Sequence, residues 1–103
     1  MRCKWMILAL LSGAVLPAAA QDRDALYLQS LASTCANCHG TGGKSAAGSA
    51  VPSLAGMPRY AMVAQMKAFK AGTRPATIMH QLARGYSDAQ IEQLAGFFAA
   101  QKK

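Results

Sequence analysis

The segment TCANCHG, residues 34–40, is the most informative stretch of this chain. Cys35 and Cys38 are separated by two residues, and His39 follows the second cysteine directly. This spacing suits three different structures: a disulfide, a zinc site and a covalently attached prosthetic group. The sequence around the segment decides between them.

The first twenty residues have the pattern of a signal peptide. Arg2 and Lys4 precede a short apolar run, and three alanines ending at Ala20 precede a polar residue. A basic start, an apolar centre and a small-residue end are typical of a secretory leader that is cleaved. We therefore expect residues 1–20 to be removed and residues 21–103 to form one exported, periplasmic domain. An uncleaved membrane anchor is the alternative, although the apolar run is too short to span a bilayer.

The domain that remains is small and basic. The full chain of 103 residues carries a formal net charge of +7, and only two of its cations belong to the predicted leader. Apart from the adjacent Lys102 and Lys103, the other cations stand singly, a pattern that fits either a solvated surface or a docking surface for an acidic protein. Export argues against nucleic acid as a partner, and no stable membrane insertion is expected after cleavage. A domain this short has a small core and commonly needs a covalent link or a cofactor.

The three structures that suit the CANCH segment differ in what they require. A disulfide between Cys35 and Cys38 closes a very short loop and stabilises little. A structural zinc needs a fourth nitrogen or sulfur ligand, and the exported domain offers only His80 beyond His39. C-x-x-C-H is the attachment signature of haem c, in which two thiols form thioethers with the porphyrin and the next imidazole binds iron. The sequence therefore predicts one haem c, attached through Cys35 and Cys38, with His39 as an iron ligand.

The rest of the pattern predicts an all-α domain. Apolar residues recur at helical spacing, and no alternating strand pattern appears. We expect an ordered loop over residues 40–56, a short helical turn within 76–85, and helices over 22–35, over 59–72 and from residue 87 onward. The last helix begins with a predicted capping box at Ser87 and has a core face made of Ile91, Leu94, Ala95 and Phe98.

A haem iron has a second axial position, and the exported domain offers four methionines for it, at positions 57, 62, 66 and 79. Met62 and Met66 lie four residues apart on the apolar face of a helix, so we expect them in the core. Met57 follows His39 by only eighteen residues, which leaves the chain little room to cross the edge of a haem.

Met79 fits the second axial position better on spacing. It follows His39 by forty residues and lies in the irregular stretch between two helices. His80 is adjacent and remains the alternative ligand, because neighbouring side chains rarely both point at one iron.

Several segments together carry a family resemblance. CANCHG, PSLAG, AQMKAFKAGTRPATIM and ARGYSDAQIEQLAGFFAAQ resemble the class I c-type cytochromes of bacteria. Within that class the chain is most similar to cytochrome c4-like domains and to the monohaem cytochrome subunit of flavocytochrome c sulfide dehydrogenase. The resemblance implies a small class I cytochrome c fold, with three to five helices around one covalently bound haem.

The resemblance also implies roles for single residues. Cys35 and Cys38 would carry the thioethers, His39 would be the proximal ligand and Met79 the distal ligand. Pro52 would supply the carbonyl that steadies the proximal imidazole. The crossing of the terminal helices would bring Leu26 and Tyr27 close to Gly96 and Phe97.

Three functions are compatible with this site. A haem with two protein ligands transfers single electrons, so the chain is expected to be an electron-transfer protein rather than an enzyme. It would be either the haem subunit that accepts electrons from a flavoprotein sulfide dehydrogenase, or a freely diffusing carrier of the cytochrome c4, c5 or c553 kind. A haem enzyme or gas sensor with a labile sixth ligand is the third alternative, and it would bind carbon monoxide readily.

Overall fold

The computed structural model describes residues 17–103, and every regular element among them is helical. Residues 1–16, which hold the basic start and the apolar run of the predicted leader, lie outside the described part. The prediction of an all-α fold is confirmed. The helices are α1 (Pro17–Ser33), α2 (Ala36–His39), α3 (Arg59–Ala71), α4 (Met79–Ala83) and α5 (Asp88–Ala99), with a 3-10 turn at Thr41–Gly43. No helix of this described part is long and apolar enough to cross a membrane.

Helix α3 and the start of α5 lie where the sequence predicts, but α5 ends at Ala99, short of Lys102 and Lys103. Gly72 follows α3 in the left-handed conformation, with φ of 76°, and its N–H donates to the Phe69 carbonyl. At the start of α5, the Ser87 hydroxyl accepts from the Gln90 N–H at 3.1 Å, and the Gln90 amide oxygen accepts from the Ser87 N–H at 2.9 Å. The predicted capping box is therefore present. The first helix ends at Ser33, two residues earlier than expected, because the chain turns before the CANCH segment.

The core lies where α3 and α5 pack together. Ile91, Leu94 and Phe98 of α5 are fully buried, and they meet the buried Met62 and Met66 of α3. The two methionines are thus core residues, as predicted. Helix α4 packs on α3, and α1 packs on α5, so the remaining elements are arranged around this pair.

The loop between α2 and α3 is held against the core by backbone hydrogen bonds. The Gly43 carbonyl accepts from the N–H groups of Leu54 and Ala55, at 2.7 and 3.1 Å. The Gly56 N–H donates to the carbonyl of Phe98 in α5 at 2.8 Å. These bonds fix the path of the chain between the end of α2 and the start of α3.

One expectation about the terminal helices is wrong in detail. Helices α1 and α5 do pack together, but Leu26 is 64% exposed, and a Cβ at Gly96 would meet nothing within 4 Å. The helices therefore make no close crossing at Gly96. The Tyr27 hydroxyl instead accepts from the side-chain amide of Gln90, near the start of α5, at 3.0 Å. Ala32, near the C-terminal end of α1, is buried in the core, and Leu31 packs against the same cluster.

Candidate functional site

The two cysteines lie on one helical turn. Cys35 precedes the four-residue helix α2, and the N–H groups of Cys38 and His39 both donate to its carbonyl, at 3.3 and 2.9 Å. Residues three apart on such a turn lie on the same side, so both thiols face one direction. Both cysteines are free thiols, with Cys35 half-buried and Cys38 exposed. Cys35 and Cys38 therefore do not form a disulfide in this structure.

The environment of Cys35 disfavours its ionised form. Burial raises the pKa of this thiol above its usual value, and the nearby Cys38 raises it further, while a hydrogen bond with the Thr34 hydroxyl lowers it. Reactive redox cysteines have the opposite property, a depressed pKa that makes a thiolate nucleophile available. The raised pKa favours the thiol form of Cys35, so this residue is not an activated nucleophile.

A single backbone carbonyl orients the imidazole of His39. The ring is buried, at 8% exposure, and its Nδ1 lies 2.7 Å from the carbonyl oxygen of Pro52. A carbonyl only accepts, so Nδ1 carries the proton and Nε2 of the neutral ring holds the lone pair. Among residues 17–103, Nε2 has no hydrogen-bond partner. This is the tautomer that an iron ligand requires, with the second nitrogen held by a backbone acceptor.

Ser45 connects the loop that carries Pro52 to the end of α2 by hydrogen bonds. The Ser45 hydroxyl donates to the His39 carbonyl at 3.3 Å, and the Ser45 N–H donates to the Ser53 hydroxyl at 2.8 Å. The Pro52 carbonyl is thereby held beside the ring. The sequence assigned this position to Pro52 only through the family resemblance, because thirteen residues separate it from His39.

Met79 lies on a different element from the cysteines. It is the first residue of α4 and is partly buried against the same core that Cys35 contacts. Ile78 precedes Met79 directly, and Leu82 follows it by three residues. Their exposed fractions are 51% and 45%. A thioether flanked by exposed apolar side chains suits the flat apolar face of a porphyrin.

His80 follows Met79 directly in α4. Its Nδ1 is buried and has no partner within the described residues, and the imidazole of His80 does not join His39 in a metal site. In residues 17–103, no three side chains of the His, Cys, Asp and Glu types come together as a metal site. The zinc alternative therefore lacks its ligand set. Two thiols, an imidazole with a free Nε2 and a thioether fit an iron porphyrin instead.

One contact at the site has no signal in the sequence. The hydroxyls of Thr34 and Tyr86 lie 2.7 Å apart, although 52 residues separate them. Thr34 immediately precedes Cys35, and Tyr86 lies three residues beyond α4. Thr34 begins the TCANCHG segment and Tyr86 lies within ARGYSDAQIEQLAGFFAAQ, but no spacing in either segment pairs the two residues.

These features define a c-type cytochrome, and the family comparison agrees. The family model for cytochrome c matches residues 25–101, so the chain belongs to the cytochrome c family. Haem c, attached covalently through Cys35 and Cys38, is accordingly its cofactor. Proteins of this class transfer electrons rather than catalyse a reaction of their own.

Curated relatives include two proteins named for sulfide or thiosulfate dehydrogenase and a cytochrome c4. The cytochrome subunit of sulfide dehydrogenase from Chlorobaculum tepidum is 41% identical over 69 residues, covering 66% of this chain and 60% of that protein. The thiosulfate dehydrogenase electron acceptor of Thiomonas intermedia is 34% identical over 71 residues, covering 69% and 33%. Cytochrome c4 of Azotobacter vinelandii is 35% identical over 88 residues, covering 77% and 41%. The chain thus spans between about one third and three fifths of the length of these relatives.

Proposed function

We propose that this chain is an exported monohaem cytochrome that accepts single electrons from a flavoprotein sulfide dehydrogenase. The observation that carries the proposal is the His39 ring, whose proton is held by the Pro52 carbonyl and whose Nε2 is free beside two thiols. The likeness to the cytochrome subunit of a sulfide dehydrogenase supplies the class of partner.

In this proposal the iron is held from both sides by the chain. His39 is the proximal ligand and Met79 the distal ligand, and haem c supplies a one-electron couple between Fe(II) and Fe(III). The Pro52 carbonyl fixes the plane of the imidazole and makes Nε2 a stronger donor. A thioether on the other side raises the reduction potential relative to a second imidazole.

Electron transfer is favoured over ligand chemistry because no coordination position is left open. Carbon monoxide binding or a peroxidase-like reaction would need Met79 to leave the iron. Met79 and Cys35 are both partly buried against the same hydrophobic core. Contact of both residues with one packed core favours a small change in geometry between the two oxidation states.

The periplasm is the proposed location, with residues 1–20 as a cleaved leader. The basic start, apolar run and alanine-rich end support it. Thioether formation also requires that Cys35 and Cys38 be reduced thiols when haem c is attached.

A freely diffusing carrier is the second candidate function. The likeness to cytochrome c4, and to an electron acceptor named for thiosulfate dehydrogenase, favours it. The two candidates differ in whether a flavoprotein stays bound to the cytochrome.

Gentle purification distinguishes the two. The chain, carrying a C-terminal tag, is isolated from its native periplasm, and the absorbance of flavin and of haem is followed through size exclusion. Flavin that elutes with haem in a fixed ratio, together with haem reduction when sulfide is added, is the expected result. Haem alone in a small monomer that sulfide does not reduce would contradict the flavoprotein partner and favour the diffusing carrier.

A further inference from the structure

The two sides of the haem site belong to different parts of the helical packing. The attachment turn follows α1 and joins α2, and α1 packs against α5. Met79 opens α4, which packs against α3. A contact between the segment after α4 and the attachment turn therefore helps to set the distance between the two thiols and Met79.

The hydrogen bond between Thr34 and Tyr86 is such a contact. The Thr34 hydroxyl donates to the Leu31 carbonyl at 2.8 Å, so its single proton is committed. At 2.7 Å the Tyr86 hydroxyl must then be the donor to the Thr34 oxygen. Among the described residues, no other hydrogen bond between two side chains connects positions 75–87 to positions 34–44.

Both ends of this bond are anchored. The Tyr86 carbonyl accepts from the Lys70 ammonium at 2.7 Å, and Lys70 also pairs with Asp88 at 3.2 Å. The Tyr86 N–H donates to the carbonyl of Ala83, the last residue of α4, at 3.3 Å. Tyr86 is thus connected to the helix that carries Met79, while Thr34 is covalently next to Cys35.

We propose that Tyr86 is a positioning residue that keeps Met79 on the iron, by closing the distal segment onto the attachment turn through Thr34. The proposal rests on the ligand set given under the proposed function. An external ligand reaches the iron only when Met79 leaves and its segment moves away. The hydrogen bond is intact in the closed state and broken in the open state, so its removal raises the open population.

Imidazole is a suitable probe of the open state, because it competes with Met79 for the ferric iron. The haem-loaded protein is titrated with imidazole, and the methionine-to-iron charge-transfer band is followed as it disappears. Tyr86→Phe deletes only the hydroxyl, and we expect imidazole to bind about three- to five-fold more tightly, the factor that one partly exposed hydrogen bond provides. Thr34→Val removes the same bond from the other side and is expected to give the same shift, with no further change in the double variant.

Tyr27→Phe is the matched control. It deletes the hydroxyl that joins α1 to the Gln90 side chain at the start of α5, and it leaves the hydrogen bond between Thr34 and Tyr86 in place. Imidazole affinity is expected to stay at the value of the unsubstituted protein. A role in overall stability alone would lower the denaturation midpoint in both variants and shift imidazole affinity in neither.

The outcomes separate this inference from the proposed function. Unchanged imidazole affinity in Tyr86→Phe, or an equal shift in Tyr27→Phe, overturns the positioning role while leaving the ligand set intact. Absence of the methionine band in the unsubstituted protein overturns Met79 as the ligand, and the positioning role fails with it.

Discussion

The chemistry of His39 depends on one neighbour, the Pro52 carbonyl at 2.7 Å. That oxygen fixes which ring nitrogen carries the proton, and it holds the plane of the buried imidazole. Cys35, Cys38 and His39 were predictable from the sequence because one helical turn contains all three. The Pro52 contact and the Thr34–Tyr86 bond were not predictable from spacing, because tertiary packing brings their partners together.

Substitution of Met79 tests the distal ligand. Met79→Ala should lower the reduction potential by on the order of 0.1 V, well inside the range that axial ligands control, because a thioether favours ferrous iron. It should also let carbon monoxide bind the reduced protein, and both effects can be measured by spectroelectrochemistry and a carbon monoxide difference spectrum.

His80→Ala is the matched control for that experiment. His80 is the adjacent residue, and its Nδ1 is buried without a partner, so it is the side chain that would compete for the iron. We expect its substitution to leave carbon monoxide binding absent. If His80→Ala opens the iron and Met79→Ala does not, the assignment of the distal ligand is wrong.

At the scale of elements, α3 and α5 follow directly from local sequence. The sequence alone indicates the end of α3 at Gly72, the capping box at Ser87 and the apolar face of α5. The loop between α2 and α3 is different, because its path depends on a close approach of Gly43 to Phe98. The sequence does not distinguish Gly43 from its neighbour Gly42 in this respect.

Alanine substitution of these two glycines tests that difference. The φ angle is positive at both residues, 79° at Gly43 and 63° at Gly42, so each substitution costs about 1 kcal/mol in backbone strain. A Cβ at Gly43 would also lie 2.7 Å from a ring carbon of Phe98, whereas a Cβ at Gly42 would meet nothing within 4 Å. We expect Gly43→Ala to lower the free energy of unfolding of the haem-loaded protein by about 3 kcal/mol in guanidinium titrations.

Gly42→Ala serves as the control for the same measurement. Its expected loss is limited to the strain of about 1 kcal/mol. Equal losses for the two variants would mean that the loop does not pack against Phe98 as described.

At the scale of the whole molecule, the core is small. Its largest fully buried side chains are Phe98, Ile91 and Leu94, all from α5. Apolar side chains next to Met79, such as Ile78 and Leu82, remain about half exposed. A core of this size commonly depends on a covalently held partner, and haem c, attached through Cys35 and Cys38, supplies additional apolar surface.

Removal of both thiols tests this dependence. Cys35→Ala combined with Cys38→Ala should abolish covalent haem attachment and leave a domain that does not fold cooperatively, as seen by haem staining after denaturing electrophoresis and by thermal circular dichroism. Ser33→Ala with Asn37→Ala changes two exposed positions around the same turn and should preserve both properties. A stable, folded double-cysteine variant without haem would show that the helices suffice on their own.

We propose that the chain holds its iron between His39 and Met79 and uses it for electron transfer alone. Near-infrared magnetic circular dichroism of the unsubstituted ferric protein tests this proposal, since the spectrum distinguishes the axial ligand pairs of a low-spin haem. We expect the histidine–methionine signature. A bis-histidine signature, with His80 as the second ligand, or a high-spin signature from an open iron would contradict it.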